Sequence, residues 1–557
     1  MAGTPPETGR GRLIVAVILL LSLWTASMQP PTGMQPEALR LIAVTILMAG
    51  LWVTQAVPLA ATSLLPLALF PVLGIQTAEV VSKSYINDNV FLYLGGFIIA
   101  LGIERWNLHR RIALNIVRVV GTGPKRLVLG FLIATGGLSM WISNTASTLL
   151  MLPIALALLK TLDDEQSVGQ PSGHVAGQPL PELLSKKLAV PLLLAIAYSA
   201  SLGGMTTIIG TPTNTTAVSI YRTEFRTTAA VVITQPEGVD NAAIDLRPTA
   251  PDISVAQWML ASIPVGAVYL AFTWWVLTFR LPSATDHDDA LRVEMKKRLI
   301  GLGRPGVAER RMFGVFVLTA LLWIFRKPLI LGTATVLPGW SGHSRAWFAW
   351  LGTSMSTERL TATAGSFIND STIAMLMAFL LFCIPSGTRD DRGRCQKLMD
   401  WETATHLPWD IVLLIGGGFA LAGAFGSTHL SEWLGLALQE PLSHLPIWLV
   451  IAVVCLLMTF LTEFTSNVAT ISTLLPTLCA VCVALKMDPR LLVVPATLAT
   501  SCAFMLPIAT PPNAIVFGAG RIQVSEMMRY GIVLNLVGVL ILTAGTYLFI
   551  KPLMGIP

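Results

Sequence analysis

The chain reads as an all-α polytopic membrane protein built from two inverted repeats, with about eleven transmembrane helices of bilayer-spanning length. Three observations predict this. Of 557 residues, 54% are hydrophobic and 12% charged, with a mean hydropathy of +0.68, a balance that places the chain among integral membrane proteins. Apolar runs recur from end to end and leave no soluble module of domain size. Three motifs of the first half return in the second. The reading is therefore one membrane domain, 1–557, with a first repeat at 38–279 and a second at 312–550. An extra N-terminal transmembrane helix is expected at 13–28.

That first run, Leu13–Met28, follows Arg10 and Arg12 as a signal peptide would. Its exit, ASMQPPTGMQP, lacks a small-x-small cleavage site, so a retained helix with a cytoplasmic N-terminus is expected. Further spans are expected near 38–57, 58–75, 90–104, 189–221, 258–279, 312–332, 371–385, 409–425, 491–520 and 531–550. Short Lys/Arg-rich loops mark the cytoplasmic side. They fall at 105–126 (Arg105, Arg110, Arg111, Arg118, Lys125, Arg126), 280–311 and 386–402 (Arg389, Arg392, Arg394, Lys397). Segments 29–37, 223–257 and 426–446 carry few or no Lys or Arg and are expected outside. The expected location is the plasma (inner) membrane, multi-pass. The net charge of +6 belongs to those loops and gives no reason to expect nucleic acid. Cys479 and Cys482 form a lone C-x-x-C among apolar neighbours, which reads as packing rather than metal or redox chemistry.

Two apolar blocks, 127–159 and 447–485, carry polar residues where lipid should be. The first contains WISNTASTLLMLPIA (141–155) and no charge between Leu127 and Leu159. An unpartnered buried polar group costs about 1–3 kcal/mol, so the cluster Ser143, Asn144, Thr145, Ser147 and Thr148 needs a cause. Basic residues flank the block on both sides, so it should enter and leave by the same face. We read it as a re-entrant hairpin with Ser143–Thr145 at the tip. The block 447–485, with Ser466–Val468 near its middle, reads as the same object entering from outside.

The halves align by eye. FLYLGGFIIALGI (91–103) matches VLLIGGGFALAGA (412–424), WISNTASTLLMLP (141–153) matches FTSNVATISTLLP (464–476), and SLGGMTTIIGTPTN (201–214) matches SCAFMLPIATPPN (501–513). A polar insert around 163–187 lengthens the first half. The segment after the Gly-rich helix is basic in half one and lacks Lys/Arg in half two, so equivalent segments lie on opposite faces and the repeats are inverted. That is the sequence signature of a secondary transporter with its site near the midplane. Thr211-Pro212-Thr213-Asn214 and Thr510-Pro511-Pro512-Asn513 place proline inside apolar runs. Each helix should break there, which is tolerated at membrane depth only where the backbone lines protein or a wet cavity.

Two tips and two breaks thus supply hydroxyls, amides and helix N-termini suited to an anion, and unwound carbonyls suited to Na⁺. They hold no Lys, Arg or His; their single charge, Glu463, reads as structural, with a functional role the alternative for an intramembrane acid. A multivalent anion needs the missing positive charge from cotransported cations, which favours coupling over a channel. A membrane hydrolase would need a nucleophile with a base or a metal cluster, and all seven histidines lie outside the four motifs. No organic cofactor is expected.

On these motifs the chain resembles the divalent anion/sodium symporter family, whose members carry di- and tricarboxylates or sulfate. The paired tips Ser143-Asn144-Thr145 and Ser466-Asn467-Val468 carry the resemblance. So does TSCAFMLPIATPPNAIV (500–516), with Ser501, Phe504, Pro507, Asn513 and Val516 at the family's spacings. The resemblance implies a homodimer, elevator-type movement of a transport part within each protomer, and two symmetry-related Na⁺ sites. Carried over to this chain, the first is Ser139, Ser143, Asn144 and Gly210; the second is Thr462, Thr465, Asn467 and Ala509. Substrate contacts fall on Ser143, Asn144, Thr145, Thr211, Ser466, Asn467, Thr510 and Pro511. Both hydroxyls, Ser139 and Thr462, are present, favouring Na⁺-coupled symport of a C4-dicarboxylate such as succinate, malate or fumarate. The alternatives are a Na⁺-coupled citrate or sulfate symporter and a Na⁺-independent dicarboxylate exchanger. The second tip departs from the pattern with Val468 opposite Thr145. Asn214-Thr215-Thr216 and Asn369-Asp370-Ser371 also match the glycosylation sequon.

Overall fold

The computed structural model describes residues 9–557 except 55, 87, 122, 169–183, 228–247, 283–292, 294–295, 298, 327–328, 332–333, 338, 341–367, 390–392, 431, 435 and 438–443. Most of the insert expected at 163–187 and of the outer segment 223–257 lies outside the described residues.

Helices dominate. The first half runs α1 (Gly9–Ser27), α2 (Pro36–Thr54), the short α3 (Leu59–Thr62), α4 (Leu65–Val72) and α5 (Ala78–Tyr85), then α6 (Asp88–Arg105) and α7 (Leu108–Val120). It continues with α8 (Pro124–Ser139), α9 (Asn144–Val168), α10 (Leu184–Gly204), α11 (Pro212–Glu224) and α12 (Val255–Thr278). The second half runs α13 (Val307–Ile324), α14 (Asp370–Cys383), α15 (Trp401–Ala404), α16 (Trp409–Ser427) and α17 (Ile447–Leu461). It ends with α18 (Asn467–Ala484), α19 (Arg490–Thr500), α20 (Pro511–Phe517) and α21 (Val524–Gly545), whose axis continues through a π-helical turn, Thr546–Ile550, into α22 (Lys551–Leu553). The fold is not purely helical. Among the described residues three two-stranded ribbons join helices: β1 (Arg226–Thr227) with β2 (Thr249–Ala250), parallel; β3 (Leu329–Leu331) with β4 (Ala334–Leu337); and β5 (Pro385–Arg389) with β6 (Cys395–Lys397), both antiparallel.

Six helices among the described residues are long and apolar enough to cross a membrane, or seven when the bent pair Ala78–Leu92 and Leu94–Arg105 counts as one span. These six include the tip helices at Asn144–Leu162 and Asn467–Ala484, read from the sequence as arms of re-entrant hairpins, whereas the helices in the expected runs 13–28 and 371–385, Leu13–Ser27 and Asp370–Cys383, are shorter than a span. The run 58–75 divides at Ser63–Leu64, the runs 189–221 and 491–520 divide at their prolines, and the run 312–332 stops being helical at Ile324.

The basic stretch expected as a loop at 105–126 is mostly helix. In α7 Leu108, Ala113, Leu114 and Val117 are buried on one side, and the helix packs along α8. The three basic segments expected on one face do meet. Arg105 pairs with Asp400 and donates to Thr403 Oγ1 at 3.0 Å, while Trp106 Nε1 donates to Leu398 O at 2.8 Å. Arg111 pairs with Glu309 and donates to Gly303 O at 3.0 Å.

Close approach of α8 and α10 sets the centre of the first half. A methyl group on Gly203 would collide with the backbone of Gly136, so the two helices touch main chain to main chain. In the second half a methyl on Gly417 would lie 2.6 Å from Ser63 O, which seats α16 against the short α3. In the aligned Gly-rich motif of the first half a methyl on Gly95 would lie 2.6 Å from the backbone of Ala374, so both matched Gly-rich motifs serve contact rather than flexibility.

Where α13 ends, Arg326 forms a buried ion pair with Asp370 at the start of α14, with Nε–Oδ1 at 2.6 Å and Nη2–Oδ2 at 3.0 Å. Both side chains are 3% exposed. Arg326→Met leaves Asp370 buried without a counter-charge and is expected to destabilise the fold by about 3–5 kcal/mol. Replacing both partners with apolar residues should recover most of that loss, and thermal unfolding of the purified protein in detergent measures both.

Candidate functional site

Both expected tips are interruptions between helices, and both are built alike. At the first, α8 ends at Ser139 and α9 begins at Asn144. Ser143 Oγ accepts from Ala146 N at 3.2 Å, and Ser139 Oγ donates to Asn144 Oδ1 at 2.7 Å. At the second, α17 ends at Leu461 and α18 begins at Asn467. Ser466 Oγ accepts from Ala469 N at 3.2 Å, and Thr462 Oγ1 donates to Asn467 Oδ1 at 2.6 Å. Each tip is therefore a serine N-cap, with an asparagine at the first helical position and a fully buried hydroxyl five residues before it. Ser143, Asn144, Thr145, Ser466 and Asn467 are half-buried.

The breaks match in the same way. Helix α10 stops at Gly204 and α11 starts at Pro212; α19 stops at Thr500 and α20 starts at Pro511. Thr211 and Thr510 are the N-caps, in extended conformation, and Thr510 Oγ1 accepts from Asn513 N at 3.4 Å. Proline at the first helical turn costs no hydrogen bond there. Asn214 Nδ2 donates to Gly204 O at 3.2 Å, Met205 O at 2.9 Å and Thr207 O at 2.7 Å; Asn513 Nδ2 donates to Ala503 O and Leu506 O, both at 3.0 Å. The carbonyls lie ten and seven residues back in both halves. A further aromatic donor supports each break: Trp258 Nε1 to Met205 O at 3.0 Å, and Tyr198 OH to Phe504 O at 2.8 Å.

The structure brings the first set of cation candidates together. A methyl on Gly210 would sit 2.5 Å from Gly204 O, 2.9 Å from Ser139 O and 2.9 Å from Thr207 Oγ1. A methyl on Gly204 would collide with Asn144 Oδ1. Carbonyl, hydroxyl and amide oxygens of Ser139, Asn144, Gly204 and Thr207 thus crowd the Cα atoms of two glycines, a donor set suited to a hard monovalent cation. In the second set Thr462 and Asn467 are bonded, and Thr462 Oγ1 also reaches Thr500 O at 3.2 Å. Ala509 lies on the break, its N–H donating to Leu506 O. Thr465 differs: its hydroxyl bonds Leu461 O at 3.0 Å and pairs with Thr470 Oγ1. Its side chain is spent inside α17 and α18, and Ser466 holds the position that Ser143 holds in the first half.

Val468 has a packing reason. It joins the apolar cluster that contains Trp52, Phe70, Tyr85 and Leu414. Of the substrate candidates, Thr211 and Thr510 are 4% exposed while Pro511 is exposed. Sequence reasoning missed Gly204 and Thr207 in the first cluster, and missed that Asn214 and Asn513 tie the breaks. The aligned T-P-x-N motifs carried the signal for the asparagines. Asn214 is fully buried with its amide committed to carbonyls, so its sequon is not a glycosylation site.

The two halves interlock. Tip helix α9 packs on break helix α20 of the other half, and tip helix α18 packs on break helix α11. Against this arrangement, residues 10–556 match the family described as the sodium:sulfate symporter transmembrane region. The chain belongs to the sodium:sulfate symporter family. Relatives within it include the sodium-dependent dicarboxylate transporter SdcS of Staphylococcus saprophyticus, 37% identical over 98% of this chain and 92% of that protein. SdcS of Staphylococcus aureus is 35% identical over the same shares. The crystal structure of the Alcanivorax borkumensis YdaH transporter shares the fold with a TM-score of 0.51 at 12% identity, over 97% of this chain and 98% of that one. As a sodium:sulfate symporter family member with six or seven helices of spanning length among the described residues, the chain is a multi-pass membrane protein.

Gly210→Ala drives a methyl group into backbone oxygens of Ser139 and Gly204. It is expected to lower stability by about 1–3 kcal/mol, read as a lower unfolding temperature in detergent. Ala509→Gly at the aligned position should change it by less than about 1 kcal/mol.

Proposed function

We propose that this protein is a Na⁺-coupled symporter of C4-dicarboxylates of the succinate, malate and fumarate class, working by elevator-type alternating access. One observation carries the reading: each half holds a buried hydroxyl bonded to the tip asparagine, within a chain 35–37% identical over nearly its whole length to transporters named for sodium and dicarboxylate. Na⁺ and dicarboxylate are both cargo. The first Na⁺ is assigned to Ser139, Ser143, Asn144 and Gly210, with the Gly204 carbonyl added, and the second to Thr462, Asn467 and Ala509, with Thr465 offering only its backbone. The dicarboxylate is assigned to Ser143, Asn144, Thr145, Thr211, Ser466, Asn467, Thr510 and Pro511.

The chemistry follows from what these groups lack. With no cationic side chain at the tips or breaks, a dianion is attracted only once Na⁺ has entered. Ion and substrate binding are thereby coupled, and uptake draws on the Na⁺ gradient. Helix N-termini at Asn144, Asn467, Pro212 and Pro511 add partial positive charge towards carboxylate oxygens. The proposal includes inverted repeats at 38–279 and 312–550, broken spans counted within the larger total, a cytoplasmic N-terminus in the plasma membrane, and a homodimer. The matched tips and breaks support the repeats, and the meeting of the three basic segments supports their common, cytoplasmic side. Sulfate is the second reading, favoured by the family description itself.

Proteoliposomes carrying the purified protein should accumulate labelled succinate under an inward Na⁺ gradient. Malate and fumarate should compete more strongly than citrate or sulfate. Asn144→Ala and Asn467→Ala should each reduce uptake about tenfold or more, the scale of a lost hydrogen bond to a charged group. Uptake indifferent to Na⁺ and intact in Asn144→Ala overturns the proposal, and dominant competition by sulfate moves it to the second reading.

A further inference from the structure

Glu463 is 1% exposed and follows Thr462 at the second tip. Its Oε1 accepts from Met505 N at 2.9 Å and from Asn535 Nδ2 at 2.6 Å, and its Oε2 accepts from Leu506 N at 3.0 Å. Three donors from two other segments, the broken backbone and α21, thus converge on one carboxylate. The aligned position in the first half is Met140, which follows Ser139. There the tip is tied to its break by a side chain on the other partner: Thr207 Oγ1 donates to Met140 O at 2.5 Å. Thr207 and Leu506 stand equally far before Asn214 and Asn513. Both halves fasten tip to break at the same pair of positions, one through a neutral hydroxyl and the other through a charged clamp.

We propose that Glu463 is a positioning residue for the second half-site, holding the backbone at Met505 and Leu506 in register with the Thr462–Asn467 pair. The inference rests on the sodium reading above and deepens it. Each carboxylate oxygen already serves main-chain N–H groups of the break, so Glu463 shapes the site rather than moving with the cargo. Charge-assisted bonds are stronger than neutral ones. The tie from tip to break at Glu463 is consequently stronger than the Thr207–Met140 tie in the first half. Glutamine cannot replace the clamp, because its amide nitrogen faces a backbone donor. Aspartate keeps the charge but falls short by one methylene.

The test measures succinate uptake in proteoliposomes against Na⁺ concentration for the unaltered protein, Glu463→Gln, Glu463→Asp and Asn535→Ala. Amide hydrogen exchange across 503–508 is followed in parallel. The half-saturating Na⁺ concentration is expected to rise about tenfold in both Glu463 variants and about threefold in Asn535→Ala. Succinate KM at saturating Na⁺ should stay within about twofold, the charge moved per succinate should not change, and the Met505 and Leu506 amides should exchange faster. An unchanged Na⁺ requirement in Glu463→Asp reduces the residue to a source of charge and overturns the proposal, as does a changed charge per succinate or unaltered exchange. Should the Glu463 variants fail to assemble, Asn535→Ala decides, and an unchanged Na⁺ requirement there overturns the clamp. If the unaltered protein shows no Na⁺ dependence, the sodium reading falls and hydrogen exchange alone judges the clamp.

Discussion

Everything at the centre of this protein depends on satisfying backbone groups where two helices are interrupted inside an apolar body. Main-chain carbonyls released between Gly204 and Pro212, and between Thr500 and Pro511, would each cost free energy if left without donors. The chain supplies those donors from within. Asn214 and Asn513, both fully buried, turn their amide nitrogens back onto the preceding carbonyls, and Trp258 and Tyr198 add a donor from helices further away. Because each break is held by its own downstream helix, it keeps a fixed shape. A fixed shape is what allows some oxygens to remain available for a cation.

The tips use the same economy. A serine N-cap ends each interruption, and the hydroxyl five residues earlier locks the asparagine side chain, leaving its orientation little freedom. Cross-packing of α9 with α20 and of α18 with α11 then makes each half depend on the other. Farther out, the contacts of Arg105 with Asp400 and of Arg111 with Glu309 gather three segments that are distant in the chain.

The departures from symmetry are as informative as the matches. Val468 replaces a hydroxyl because its side chain belongs to an apolar cluster around Trp52, Phe70 and Tyr85. Gly210 faces three oxygens where the aligned residue is Ala509, so only the first half requires the absence of a Cβ. Glu463 has no counterpart acid at Met140. Together these differences give two tip-and-break assemblies of similar plan fastened by different groups.

Much of this was legible in the residues themselves. Hydropathy determined the membrane class, polar residues within apolar runs marked the tips, and proline with Thr and Asn marked the breaks, because each is a local cost that no ordinary lipid-facing helix would carry. The alignment of SNT with SNV and of the two T-P-x-N motifs already paired the halves. Only the tertiary structure decided which oxygens surround Gly210, that Thr465 turns its hydroxyl to Thr470, and that Glu463 reaches the amides of Met505 and Leu506. It also made α7 an amphipathic helix and shortened several expected spans. Those outcomes depend on contacts between residues far apart in the chain. A sequence pattern records the local cost of a polar group, whereas its partner is chosen by how the helices pack.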